Sequence, residues 1–143
     1  MEKKNTKKIV RRLFELGNAK DVDAYIDLLH EEFVNHTPPP GVSGNREGYR
    51  QVYRMYVNAM PDFHIEVEDM FARGDKCVTR WTATGTQQGE LMGIPPTGNE
   101  VTITGITINR VEDGKIIEQR EFADTMGMME QLGALSEQGE EAG

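Results

Sequence analysis

Two strand-like runs joined by Asp113-Gly114 constrain this chain more than any other feature. Glu100 to Val111 (EVTITGITINRV) and Lys115 to Ala123 (KIIEQREFA) are rich in β-branched residues. They flank a dipeptide that readily takes the positive φ angles of a two-residue hairpin turn. The pattern predicts a long antiparallel hairpin whose second arm runs into Asp124 and then a Met-rich segment, TMGMMEQLG, helical from Thr125 to Leu132. A carboxylate at the end of a sheet hairpin, followed at once by apolar residues, can project into a closed pocket and move protons at carbon.

The rest of the chain divides at Phe63, where the hydrophobic period changes. Downstream, FHIEVEDMFA alternates, ARGD reads as a turn, and KCVTRWTATGTQQGEL is a second β-rich run. Upstream the spacing is helical. Residues 6–17 carry Ile9, Val10, Leu13, Phe14 and Leu16, closed by Gly17-Asn18. A second helix is expected after Asp21 as N-cap, with Val22, Tyr25, Ile26, Leu28, Leu29 and Phe33 as its apolar stripe. The proline-rich segment VNHTPPPGVSGN cannot be helical, because three prolines fix φ and remove donors. A third helix is expected from about Arg46 to Ala59, marked by Tyr49, Val52, Tyr53, Tyr56 and Met60 and ended by Pro61. Three helices, a meander of about four antiparallel strands and a short last helix predict an α+β fold with the helices on one face of the sheet. The expectation is one domain over residues 1–133, a curved sheet around a pocket, and a flexible acidic tail over 134–143.

Composition narrows the partners. With 143 residues and a net charge of −8, the chain lacks the basic surface that a nucleic-acid or membrane partner requires. No apolar run approaches the ~20 residues of a membrane span. The basic start, MEKKNTKKIVRR, has no signal-type apolar stretch behind it, so a cytoplasmic setting is expected. The single cysteine, Cys77, excludes an internal disulfide and reads as a buried strand thiol. Three histidines without metal-ligand spacing predict no metal site, and Gly85, Gly89, Gly93 and Gly98 do not form a phosphate loop.

The candidate site follows from the hairpin. Asp124 is either a buried acid/base or an N-cap of the last helix, and the two roles are compatible. A regular two-residue turn pairs Val111 with Ile116, Asn109 with Glu118 and Thr107 with Arg120. Thr107, Asn109, Glu118, Arg120, Phe122 and Asp124 would then share one face, and Ile106, Ile108 and Ile117 the other. That polar row is either a pocket wall that orients carbonyl oxygens or a solvated face, and a bulge at the turn reverses the assignment. Trp81 and Tyr53, with Tyr49 and Tyr56, are core residues or an aromatic slot for a planar ligand.

HEEFVNHTPPPG, MPDFH, VTRWTATGT, GIPPTG, the DGKI hairpin and DTMGMMEQLG together resemble the SnoaL-like polyketide cyclases over about residues 8–133. The resemblance implies a nuclear-transport-factor-2-like cone. It also implies ring closure by intramolecular aldol condensation of a small hydrophobic carbonyl compound, without a cofactor, and a homodimer packed through its sheets. The family's acid/base aspartate falls on Asp124. Asn35 or His36 is expected to point into the cavity as an orienter or proton relay, although His36 is equally read as a loop anchor. Gln87, Asn109 and Arg120 stand where members often carry His, His and Trp. A non-catalytic small-molecule-binding protein, or another lyase, isomerase or hydrolase on the same cone, is the alternative.

Overall fold

A computed structural model describes residues 2–133, so the acidic tail lies outside the described residues. Four helices and five strands follow in the order α1 (Glu2–Ala19), α2 (Val22–Asp27), β1 (Leu29–Asn35), α3 (Arg46–Ala59), β2 (His64–Arg73), β3 (Lys76–Thr86), β4 (Glu100–Glu112), β5 (Lys115–Ala123) and α4 (Thr125–Gln131). The strands form one curved sheet in the order β1-β5-β4-β3-β2. The nuclear-transport-factor-2-like α+β architecture is the one the sequence leads to. No described helix is long and apolar enough to cross a membrane.

The helix starts obey local chemistry. Asp21 accepts a hydrogen bond from the Ala24 amide and Asn45 from the Gly48 amide, each satisfying a donor that the first helical turn leaves open. One expectation fails here. The second helix stops at Asp27, and Leu29–Asn35 is a strand, parallel to β5 at the sheet edge. Leu29 and Phe33 are buried, and their four-residue spacing fits a helical stripe and every second position of a strand equally well. The sheet therefore has five strands and is mixed.

The hairpin carries the second correction. Asp113 (φ 54°) and Gly114 (φ 77°) make the expected two-residue turn, and Val111 pairs with Ile116. The ladder then shifts: Arg110 pairs with Glu118, Asn109 with Gln119, Thr107 with Glu121, Ile108 with Arg120 and Ile106 with Phe122. Ile117 is the extra residue of a β-bulge, and it is buried beside Ile116 rather than placed on the opposite face. Everything beyond it on β5 is inverted relative to a regular hairpin.

Two apolar clusters hold the helices to the sheet. Val10, Leu13, Ile26, Leu29, Phe33 and Ile116 belong to one; Met60, Trp81, Leu91, Ile103, Met128 and Leu132 belong to the other. Phe14 packs against both, and the space between them stays open as a cavity. The GIPPTG loop is fixed by Gln87, which is fully buried. Its amide donates to the Ile94 carbonyl (2.9 Å) and accepts from the Thr97 amide (3.1 Å) and hydroxyl (2.7 Å).

Candidate functional site

Register places rows of side chains on the concave face. Val67, Trp81, Gly105 and Ala123 form one row; Met70, Thr79, Thr107 and Glu121 the next; and Ala72, Cys77, Asn109 and Gln119 the third. Tyr25 of α2 and Tyr49, Tyr53 and Tyr56 of α3 face them across a cavity of about 360 Å³. Exposed Pro40, Met92 and Thr125 also line it, so this end opens to solvent.

Among the described residues, Glu121 is the one carboxylate lining this cavity. The residue is half-buried in the cavity wall, and burial raises its pKa from 4.5 to about 7. Near neutrality such a group is present both as a base and as its conjugate acid. Its position is set from the proline loop. The Glu121 amide donates to Thr37 Oγ1 (2.8 Å), and Asn35 Oδ1 accepts from the Thr37 amide (3.0 Å) and hydroxyl (3.2 Å).

A neutral hydrogen-bonding cluster stands beside the carboxyl. Tyr25 Oη lies 3.2 Å from Tyr49 Oη. Gln119 Nε2 donates to Tyr49 Oη (3.2 Å) and to Asn109 Oδ1 (2.9 Å). Burial first, and the charge at Glu121 as well, push Tyr49 and Tyr56 up to about 12 and Tyr25 well above its ordinary value. All three phenols therefore stay protonated near neutral pH. Trp81 is buried, lies over Gly105 and donates its indole N–H to Thr107 Oγ1 (2.8 Å).

The structure brings Asn35, Tyr53, Trp81 and Thr107 to the cavity, among the residues singled out from sequence. Tyr53 also ties α3 to α1, its hydroxyl donating to the Gly17 carbonyl (2.6 Å). Asn109 is fully buried one row deeper and reaches the cavity through Gln119. The bulge turns Glu118, Arg120 and Phe122 to the convex face instead of the pocket. There Glu118 bonds His36 Nε2 (2.8 Å) and Arg110, which hold its carboxyl below the usual range. His36 is thus a loop anchor on the outside. Asp124 is exposed, outside the cavity lining, and accepts from the Gly127 amide (2.9 Å) as the N-cap of α4. Sequence reasoning missed Glu121, Gln119, Tyr25 and Thr37. The available signal was Ile116-Ile117, two consecutive apolar residues beside a tight turn, which marks a bulge.

Outside the cavity, His30, Glu112 and Asp113 place potential ligand atoms within 4.8 Å of one another at the hairpin tip. His30 Nδ1 accepts from the Glu32 amide (3.0 Å), so a neutral ring carries its proton on Nε2, facing Asp113 at 3.8 Å. A protonated nitrogen offers no lone pair to a metal, and at 3.8 Å it lies beyond hydrogen-bond reach of the carboxylate.

Known proteins match this architecture over most of its length. The chain is 27% identical over 130 residues to the aklanonic acid methyl ester cyclase DnrD of Streptomyces peucetius, covering 87% of this chain and 88% of that one. It is 28% identical over 123 residues to the nogalonic acid methyl ester cyclase of Streptomyces nogalater, covering 84% and 89%. Among solved structures, TsrD from Streptomyces laurentii superposes with a TM-score of 0.83 at 29% identity, covering 94% of this chain and 98% of its own. IdmH from Streptomyces antibioticus superposes with a TM-score of 0.79 at 33% identity, covering 90% and 98%. The sequence profile of the SnoaL-like polyketide cyclases matches residues 7–132, and the chain belongs to that family.

Proposed function

We propose that this protein closes a ring in a small hydrophobic carbonyl compound by intramolecular aldol condensation, with Glu121 as the acid/base and no cofactor. The observation that carries this reading is the Glu121 carboxyl, desolvated in an aromatic cavity and titrating near neutrality. The ionised carboxylate takes a proton from a carbon next to a carbonyl, and the C–H electron pair becomes an enolate. The enolate carbon attacks a second carbonyl of the same molecule, and the new alkoxide receives the proton back from Glu121. Acid and base are the same group, so the cycle balances without a co-reactant. Holding both reacting carbons in one cavity supplies up to about 7–11 kcal/mol in favourable cases, so positioning and one carboxyl are sufficient machinery.

The acid/base role expected at Asp124 moves with the geometry to Glu121, three positions upstream. Asp124 caps α4 outside the cavity lining and so lacks access to a carbon acid bound there. The methyl esters of aklanonic and nogalonic acid, named for the relatives' activities, are the first substrates to test. The expected result is a ring-closed product by chromatography. The reading fails if the protein binds these esters and a panel of cyclic 1,3-diketones yet catalyses neither ring closure nor deuterium exchange at the acidic carbon.

A homodimer in the cytoplasm completes the proposal. Phe71 (68% exposed), Phe122 (59%), Ile106 (43%) and Val78 (38%) crowd the convex face of the sheet. Such a patch favours a second copy of the same surface. Sedimentation is expected to show a dimer at micromolar concentration and a monomer for Phe122→Glu; a strict wild-type monomer removes this part.

A further inference from the structure

The Tyr25–Tyr49 pair holds one more proton than its protein neighbours use. Two hydroxyls carry two protons, and one of them lies in the 3.2 Å bond between the rings. Tyr49 Oη also accepts from Gln119 Nε2, whose other N–H is occupied by Asn109 Oδ1. With Tyr25 donating, both lone pairs of Tyr49 are taken and its own proton has no acceptor among the described residues. Both rings line the cavity that contains Glu121. An O–H that faces the cavity without a protein acceptor is free to donate to an oxygen on the ligand.

We propose that Tyr49 is the donor that grips the ligand's carbonyl oxygen and stabilises the enolate formed there. The inference rests on the cyclase reading and sharpens it: the substrate must present an oxygen that gains negative charge within reach of Tyr49 while its acidic carbon faces Glu121. Tyr25 and Gln119 are positioning residues. Each donates into the Tyr49 oxygen, which offsets part of the rise that burial imposes on its pKa and fixes where its remaining proton points. Asn109, fully buried below, accepts from the Gln119 amide, while Asn109 Nδ2 and Gln119 Oε1 have no partner of their own. A donor placed where charge develops contributes about 10²–10³ in kcat.

The test separates this donor from the base. 4-Nitrophenol serves as the probe, because its phenolate is a planar conjugated oxyanion like an enolate, and 4-nitroanisole is the control that cannot ionise. Binding is measured in the Glu121→Gln background, which removes the cavity's own charge. There the protein is expected to bind 4-nitrophenolate, seen by its absorbance shift. Adding Tyr49→Phe should weaken that binding by about 10-fold or more and leave 4-nitroanisole binding unchanged. Tyr25→Phe keeps the Tyr49 ring in place, serves if Tyr49→Phe does not fold, and should show a smaller loss confined to the phenolate. Equal phenolate affinity with and without Tyr49 would mean that its proton goes to Gln119 Oε1 through a turned-over amide, and the proposal would be lost. Equal losses for both probes, or no phenolate binding in the Glu121→Gln protein, would overturn it as well. None of these outcomes alters the role of Glu121, which is read from turnover alone.

Discussion

Glu121→Gln is expected to lower turnover by about 10²–10⁴-fold, the usual contribution of a positioned general base. The amide keeps the shape and volume of the acid, so ligand affinity should stay within a few-fold. The wild-type rate should rise with pH as the carboxyl ionises, with a midpoint near its pKa of about 7. Asp124→Asn is the contrasting variant. It alters only an exposed cap, so it should retain turnover and lose at most about 1 kcal/mol of stability. Steady-state kinetics on both variants decide between the two carboxylates, and an active Glu121→Gln with an inactive Asp124→Asn would restore the reading first drawn from sequence.

The same substitution should stabilise the fold. Glu121 is an acid whose folded pKa lies above its ordinary value, so the folded state binds the proton more tightly than the unfolded chain does. Stability is unaffected by this group below pH 4.5 and falls as pH rises through about 7. A shift from 4.5 to about 7 corresponds to roughly 3 kcal/mol at alkaline pH. Glu121→Gln lacks this penalty. Urea unfolding at pH 8 should show it more stable than wild type by an amount of that order, and at pH 4 the two should coincide. Equal stability at both pH values would show that the carboxyl is hydrated in the cavity.

Gly105→Ala should be the most damaging single methyl addition in the sheet near the site. A Cβ at Gly105 would lie 2.3 Å from Trp81 Cζ2 and 2.7 Å from Cη2. The indole has little room to yield, because it is buried and tethered to Thr107 through its N–H. Overpacking of this kind is destabilising by about 1–3 kcal/mol. Displacement of the ring also breaks the Thr107 bond and moves the wall next to Glu121. Trp81 is the chain's one tryptophan, so its fluorescence reports the displacement directly, alongside the fall in melting temperature. An unchanged emission spectrum and melting point would show that the ring does not rest on Gly105.

Local signals in the sequence carry most of the fold. The α3 stripe, the Asp21 cap and the Asp113-Gly114 turn each act within a few residues, and all three appear where the sequence puts them. β1 was illegible for the opposite reason. It is an edge strand whose partner, β5, lies more than eighty residues away, and nothing local in LHEEFVN separates a strand from one more helical turn. Within the site, Asn35, Trp81, Tyr53 and Thr107 were legible because they precede the bulge or lie on other elements. Glu118, Arg120 and Phe122 were assigned inward by strict alternation, and one unpaired isoleucine turned them out. Asp124 attracted attention through its neighbours in sequence, but its own partner is the Gly127 amide.

That isoleucine makes β5 a strand with two possible linings. Gln119 and Glu121 face the cavity now, while Arg120 and Phe122, interleaved with them, face outside. A slip that drew Ile117 into the ladder opposite Arg110 would exchange the two sets, replacing a proton acceptor with a guanidinium and an aromatic ring, whereas deletion of Ile117 would leave the present pairing intact. A scaffold built this way can trade an acid/base pocket for an anion-binding one without altering any other strand, which offers a short evolutionary path between chemistries on one architecture.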